Sequence, residues 1–209
     1  MNFYKAAWIT LTALFFSTAG LSQVALTESK AQNAGPGHFI QTLGNRAIKI
    51  LSSPNRSIRE REEKFREILR NDFAMDTIGR FVAGRYWREM TPKQKMTYQK
   101  RFSEWVLKSY SIRLGGYSDG KLRVIKTTST GKRDVIVQTQ IEKASGDGSN
   151  TNWRVRRVNG RHVIIDIYIE GISMAVTQRS EFDAVFRRRG VDGLINLLHD
   201  RLSKLSAAS

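Results

Sequence analysis

The stretch from Trp153 to Phe182, WRVRRVNGRHVIIDIYIEGISMAVTQRSEF, constrains the fold most, because a hydrophobic strand pair and the chain's exit into a helix follow one another there. Asn159-Gly160 marks a turn between two β-prone runs. A two-residue turn would set Val155 opposite Ile164 and Trp153 opposite Asp166, mixing apolar and charged partners on both surfaces. A three-residue loop of Val158, Asn159 and Gly160, with Gly160 left-handed, pairs Trp153 with Ile165 and Val155 with Val163 instead. The expected apolar face is then Trp153, Val155, Val163, Ile165, Ile167 and Ile169, opposite a face of Arg154, Arg156, His162, Asp166, Tyr168 and Glu170. An apolar floor of that breadth has to be covered by other elements.

The covering elements are legible upstream. Phe39, Ile40, Leu43, Ala47, Ile50 and Leu51 keep helical spacing until Pro54. Ser57 with Glu60 forms a capping box for a second helix, whose stripe of Ile58, Phe65, Ile68 and Leu69 runs to Asp72. A short third helix spans about Asp76 to Ala83 and ends at Gly84. Thr91-Pro92-Lys93-Gln94 combines an N-cap hydroxyl, a proline at the first helical position and a glutamine that closes a second capping box. The long helix that follows carries Met96, Tyr98, Phe102, Trp105, Val106, Tyr110 and Leu114 up to Gly115-Gly116. Four strands are expected at Leu122 to Thr127, Asp134 to Ile141, Thr151 to Arg157 and Arg161 to Glu170. Two helices close the chain, one over Thr177 to Arg189 and one capped by Asp192 with Leu194, Leu197, Leu198, Leu202 and Leu205 on its apolar side. The class is α+β, with a four-stranded antiparallel sheet packed against several helices.

Composition places this domain. Lys5 followed by the apolar run Ala6 to Leu21 suits a secretory signal better than an uncleaved anchor, because Thr10, Thr12, Ser17 and Thr18 dilute the run. The expected organisation is a signal peptide over 1–25, a flexible N-terminus over 26–37 and a single domain over 38–206. Cysteine is absent, so an exported chain of this kind has no disulfide framework and rests on an ordinary core. The net charge of +16 predicts attraction to polyanions. Export turns that expectation away from nucleic acid and toward anionic headgroups or an acidic protein partner. Arg187, Arg188 and Arg189 end a helix just before Gly190, where cations also complement the helix dipole.

Four motifs in order carry a family resemblance. Gly84-Arg85-Tyr86-Trp87-Arg88, then Thr91-Pro92-x-Gln94, then Asp166 with Glu170-Gly171-Ile172-Ser173-Met174, and finally Gln178-Arg179-Ser180-Glu181-Phe182 with Gly190-Val191-Asp192-Gly193-Leu194 resemble the MlaC, or toluene-tolerance, family of periplasmic phospholipid carriers. The resemblance spans about Phe39 to Leu205. It departs at Ala83, where a larger aliphatic residue is commoner, and in the strongly basic balance. It implies an apolar pocket between sheet and helices that holds phospholipid acyl chains. It also implies delivery across the periplasm between an inner-membrane ABC-type lipid transporter complex and an outer-membrane lipoprotein complex, in support of outer-membrane lipid asymmetry. A related branch, associated with hopanoid biosynthesis, makes hopanoid-type lipids an alternative cargo. The pocket walls expected on this basis are Phe81, Val82, Tyr86, Trp87, Phe102, Trp105, Val106, Tyr110, Val155, Ile165, Ile167, Ile172 and Met174. Apolar residues at such positions are ordinary core more often than ligand contacts, and only the resemblance moves the set toward a pocket.

No enzyme is expected. His38, His162 and His199 lie far apart with no metal-ligand spacing around them. Ser173 lacks the second glycine of a nucleophile elbow and reads as a cap hydroxyl. Asp166 and Glu170 share a strand face, yet four residues at ~3.3 Å put them ~13 Å apart, beyond the separation of paired glycosidase carboxylates. They are expected to pair with Arg154 or solvent. No cofactor, metal or nucleic acid is expected. The competing reading from another class is a basic exported module that docks an acidic protein.

Overall fold

The computed structural model describes residues 35–115, 120–142 and 149–207. The expected signal peptide and the polar run up to residue 34 lie outside the described residues. The first helix, α1 (Pro36–Leu51), starts three residues before Phe39 because Pro36 occupies its first turn. Then come α2 (Ile58–Asp72), α3 (Met75–Ala83), the single turn α4 (Tyr86–Glu89) and the long α5 (Pro92–Gly115). Both expected capping boxes form. Glu60 N donates to Ser57 Oγ at 3.3 Å and Ser57 N to Glu60 Oε2 at 2.8 Å. Gln94 N donates to Thr91 Oγ1 at 3.2 Å and Thr91 N to Gln94 Oε1 at 3.0 Å.

Five strands follow in an antiparallel meander: β1 (Lys121–Thr130), β2 (Asp134–Glu142), β3 (Ser149–Val158), β4 (Arg161–Ile169) and the short β5 (Ile172–Ser173). The fifth strand is a two-residue return over a tight turn, in which Glu170 and Gly171 take φ of 47° and 80°. It is too short to register as a β-periodic run.

The β3–β4 hairpin corrects the expected three-residue loop. Val158 pairs with Arg161 across a two-residue turn, with φ of 48° at Asn159 and 79° at Gly160. Both central residues being left-handed is the requirement of a type I′ turn, which Asn-Gly meets. Val155 does face Ile164. The clash foreseen between Trp153 and Asp166 is removed by a bulge at Ile165, after which Arg154 pairs with Asp166 and Trp153 with Ile167. Ile164, fully buried, takes the inward place expected of Val163 and Ile165.

The last helix, α6 (Met174–Ala207), starts three residues earlier than expected and runs on past Gly190, where φ of 65° and ψ of −170° break its course into the two expected segments. Asp192, expected as a cap, receives Gln94 Nε2 on its carboxylate at 2.9 Å, tying α6 to the start of α5.

Two hydrophobic clusters result. One joins α1 and α2 to the sheet through Ile40, Leu43, Phe65, Ile68, Leu122, Val137, Val155 and Ile164. The other joins α3, α5 and α6 through Val82, Tyr98, Phe102, Phe182, Phe186, Leu194 and Leu198. Val106 packs against both.

Candidate functional site

The two clusters do not close on each other, and the space between them is an apolar cavity of about 240 Å³. Its floor is the sheet, through Leu122, Ile141, Trp153, Ile167 and Ile169. Its walls are Leu43, Ala47, Ile48 and Leu51 of α1, Phe65, Ile68 and Leu69 of α2, and Met75, Ile78 and Val82 of α3. Phe102, Trp105, Val106 and Tyr110 of α5 and Met174, Ala175 and Gln178 of α6 complete it.

The polar groups at this surface are turned to the protein. Trp153 Nε1 donates to Thr139 Oγ1 at 2.9 Å, and Thr139 Oγ1 donates in turn to the Thr151 carbonyl at 2.7 Å, so the indole presents carbon to the cavity. The Asp166 carboxylate accepts from Ser173 Oγ at 2.5 Å, Ala175 N at 3.0 Å and its neighbour Ile167 N at 2.8 Å. Ser173 Oγ also accepts from Val176 N at 3.0 Å. Asp166 and Ser173 together therefore cap the start of α6, where backbone N–H groups are otherwise unpaired. Gln178 Nε2 donates to Glu181 Oε2 at 3.0 Å. A surface of this kind offers burial to a hydrocarbon.

Of the expected walls, Val82, Phe102, Trp105, Val106, Tyr110, Ile167 and Met174 surround the cavity. The others lie elsewhere, for separate reasons. Phe81 is about a turn quarter away from the Ile78 and Val82 stripe and is 42% exposed. Tyr86 stacks on Phe186 at 4.2 Å and Trp87 meets Tyr98 edge-on at 6.3 Å, both in the second cluster. Val155 is buried in the first cluster. Ile165 is the bulge residue, buried but not part of the cavity lining. Ile172 sits opposite Ile169 at the tip of the β4–β5 turn and is 59% exposed. The α1 and α2 walls were expected only as buried stripes, since a cavity wall and a solid core carry the same helical period.

Asp166 does not make the ion pair expected with Arg154. Arg154 and Arg156 both turn to Asp134 on β2, at 2.6 Å each, while Asp166 is occupied by the α6 cap. Glu170 Oε1 accepts from Asn150 N at 2.9 Å, so it too is held by backbone.

Residues 41–200 match the family described as MlaC protein. A solved structure of similar fold is that of a phospholipid-binding protein from Ralstonia solanacearum in complex with a phospholipid. It aligns with 83% of this chain and 99% of its own, at 20% identity and a TM-score of 0.72. At that identity the likeness bears on the fold alone, while the family match covers most of the chain. The chain belongs to the MlaC family.

Proposed function

We propose that this protein is a lipid carrier that holds phospholipid acyl chains in the cavity between the sheet and the helices and moves them between membrane-bound complexes across the periplasm. The observation that carries the reading is the cavity itself, set between two apolar clusters with its polar neighbours bonded within the protein. At ~0.8 kcal/mol per methylene, two chains with ~30 methylenes gain on the order of 24 kcal/mol on leaving water, so a soluble carrier has to enclose them. The relative from Ralstonia solanacearum, which is in complex with a phospholipid, supports the class of cargo. The apolar run after Lys5 supports export. The family supports delivery between an inner-membrane transporter and an outer-membrane complex, and a binding role rather than a catalytic one. Mass spectrometry of lipid extracted from the gently purified protein tests the reading. One equivalent of a two-chain amphiphile is expected, and lipid-free protein from a lipid-rich host overturns it.

A further inference from the structure

A second concavity lies on the other side of Val82 from the cavity. It is an open groove of about 830 Å³ between the end of α3 with the Gly84 turn and the first half of α6. Four arginines line it against one aspartate. Arg187 and Arg85 share that aspartate, Asp183, the latter at 3.6 Å. Arg179 and Arg188 have no carboxylate partner among the described residues. The Arg179 side chain is exposed and lies over the Phe81 ring. Its guanidinium lies 5.1 Å from the centre of the Phe81 ring and against the Gly84 backbone, where a Cβ would stand 3.0 Å from Arg179 Nε. Gly84, at φ of 59°, thus provides both the turn and the bed for this side chain. An unpaired guanidinium over Phe81, with a second unpaired one about 13 Å further along the same helix, is open to carboxylate or phosphate oxygens.

The shape narrows the occupant. Val176, Ser180, Ala184 and Arg187 recur at three- and four-residue intervals along one face of α6 and form one wall. At 1.5 Å per residue that wall, from Val176 to Arg188, runs roughly 18 Å, the span of about five extended residues. A flat bilayer does not follow a concave groove to its floor, whereas a peptide segment does. The exposed Phe81 and Val176 side chains, 42% and 51% accessible, offer apolar contact beside the charges. We propose that this groove is the docking site for an acidic, partly apolar segment of a partner protein, received by Arg179 and Arg188. The proposal rests on the carrier reading in one respect, that a carrier must meet other proteins to load and unload.

The test uses the purified protein and a fluorescent, roughly six-residue Glu/Leu peptide, with a Gln/Leu peptide as its neutral counterpart, followed by anisotropy. The Glu/Leu peptide is expected to bind and the Gln/Leu peptide to fail. Arg179→Gln with Arg188→Gln should weaken binding about tenfold, and exposed Arg188→Gln alone about threefold. Ala184→Trp should block the groove without altering charge, with circular dichroism checking the fold. Lys132→Gln with Arg133→Gln, on the remote β1–β2 turn, removes the same charge and should leave binding within about twofold. Equal weakening by the remote pair, or unchanged binding in both the arginine pair and Ala184→Trp, overturns the proposal. So does binding of phosphatidylglycerol vesicles or inorganic phosphate that depends on Arg179 and Arg188 while the peptide is indifferent to them. Bound lipid should be the same in every variant, and a parent protein with no lipid overturns the carrier reading alone, leaving the groove result intact.

Discussion

Asp134 shows how much of a residue's role depends on where the chain places it. It is buried on β2, and both its oxygens are taken by Arg154 and Arg156 across the β2–β3 pair. The hydrogen bond from Arg156, with Arg154 in support, holds its carboxyl below the usual carboxylate range against the opposing effect of burial. A folded-state pKa below the unfolded one means that its stabilisation is fully present above about pH 4 and is lost as pH falls through the folded value. Asp134→Asn should therefore lower unfolding free energy by roughly 1–3 kcal/mol at pH 7, and the gap between variant and parent should narrow at about pH 3. Urea titrations at the two pH values check this, and a gap independent of pH would show that the carboxylate charge is not what stabilises. The sequence offers four charged residues here, Asp134, Arg154, Arg156 and Asp166, but no partner choice. Arg154 sits level with Asp166 on β4 as well as with Ile136 on β2, and it turns to Asp134 because Asp166 is already bonded to the start of α6. The hairpin register is ambiguous in the sequence for a similar reason. Adjacent Ile164 and Ile165 fit either face, and the bulge that chooses between them leaves no mark in the pattern.

At the scale of elements, start signals were the most legible part of the chain. Ser57-x-x-Glu60 and Thr91-Pro92-x-Gln94 each place a hydroxyl and a carbonyl or carboxylate oxygen where the first backbone N–H groups need them, and this works without tertiary help. What an element faces is less legible, because solid core and cavity wall both select apolar side chains. Val106 of α5 and Ile167 of β4 line the cavity, while Val155 of β3, 1% exposed, is packed in the first cluster and lies off it. The three positions separate the two roles. Val106→Asp and Ile167→Asp put an unpaired carboxylate among acyl chains and should deplete bound lipid at least tenfold while the fold persists. Val155→Asp puts the same group in close-packed core, which costs several kcal/mol, and should leave little folded protein at all. Circular dichroism with lipid mass spectrometry on the three variants checks this. Full lipid in folded Val106→Asp and Ile167→Asp would mean the chains lie elsewhere.

The whole molecule has a mismatch between its cavity and its proposed load. A cavity of about 150 Å³ accommodates benzene, so the 240 Å³ here holds a fraction of one acyl chain. The cavity is partly open to solvent, so a two-chain lipid extends out of it unless part of the wall moves. One wall whose movement would widen it is α1, which covers the cavity through Leu43, Ala47, Ile48 and Leu51, packs in the first cluster, and meets the sheet edge through polar contacts. Gln41 makes two of these, donating from Nε2 to the Leu122 carbonyl at 2.7 Å and accepting on Oε1 from Val124 N at 3.2 Å. Gly44 lets the helix approach, since a Cβ there would stand 3.1 Å from the Leu122 side chain. Arg46 adds an ion pair to Asp72 at the end of α2. Gln41→Ala removes both sheet contacts at about 1 kcal/mol each without touching the cavity lining, so opening should become roughly 5–30 times more frequent. Lipid transfer to acceptor vesicles should quicken by a similar factor if opening limits release, and amide exchange over α1 should quicken with it. Faster exchange in α1 with an unchanged transfer rate would place the exit at another wall. Slower transfer would mean that Gln41 holds the loaded form rather than the closed one.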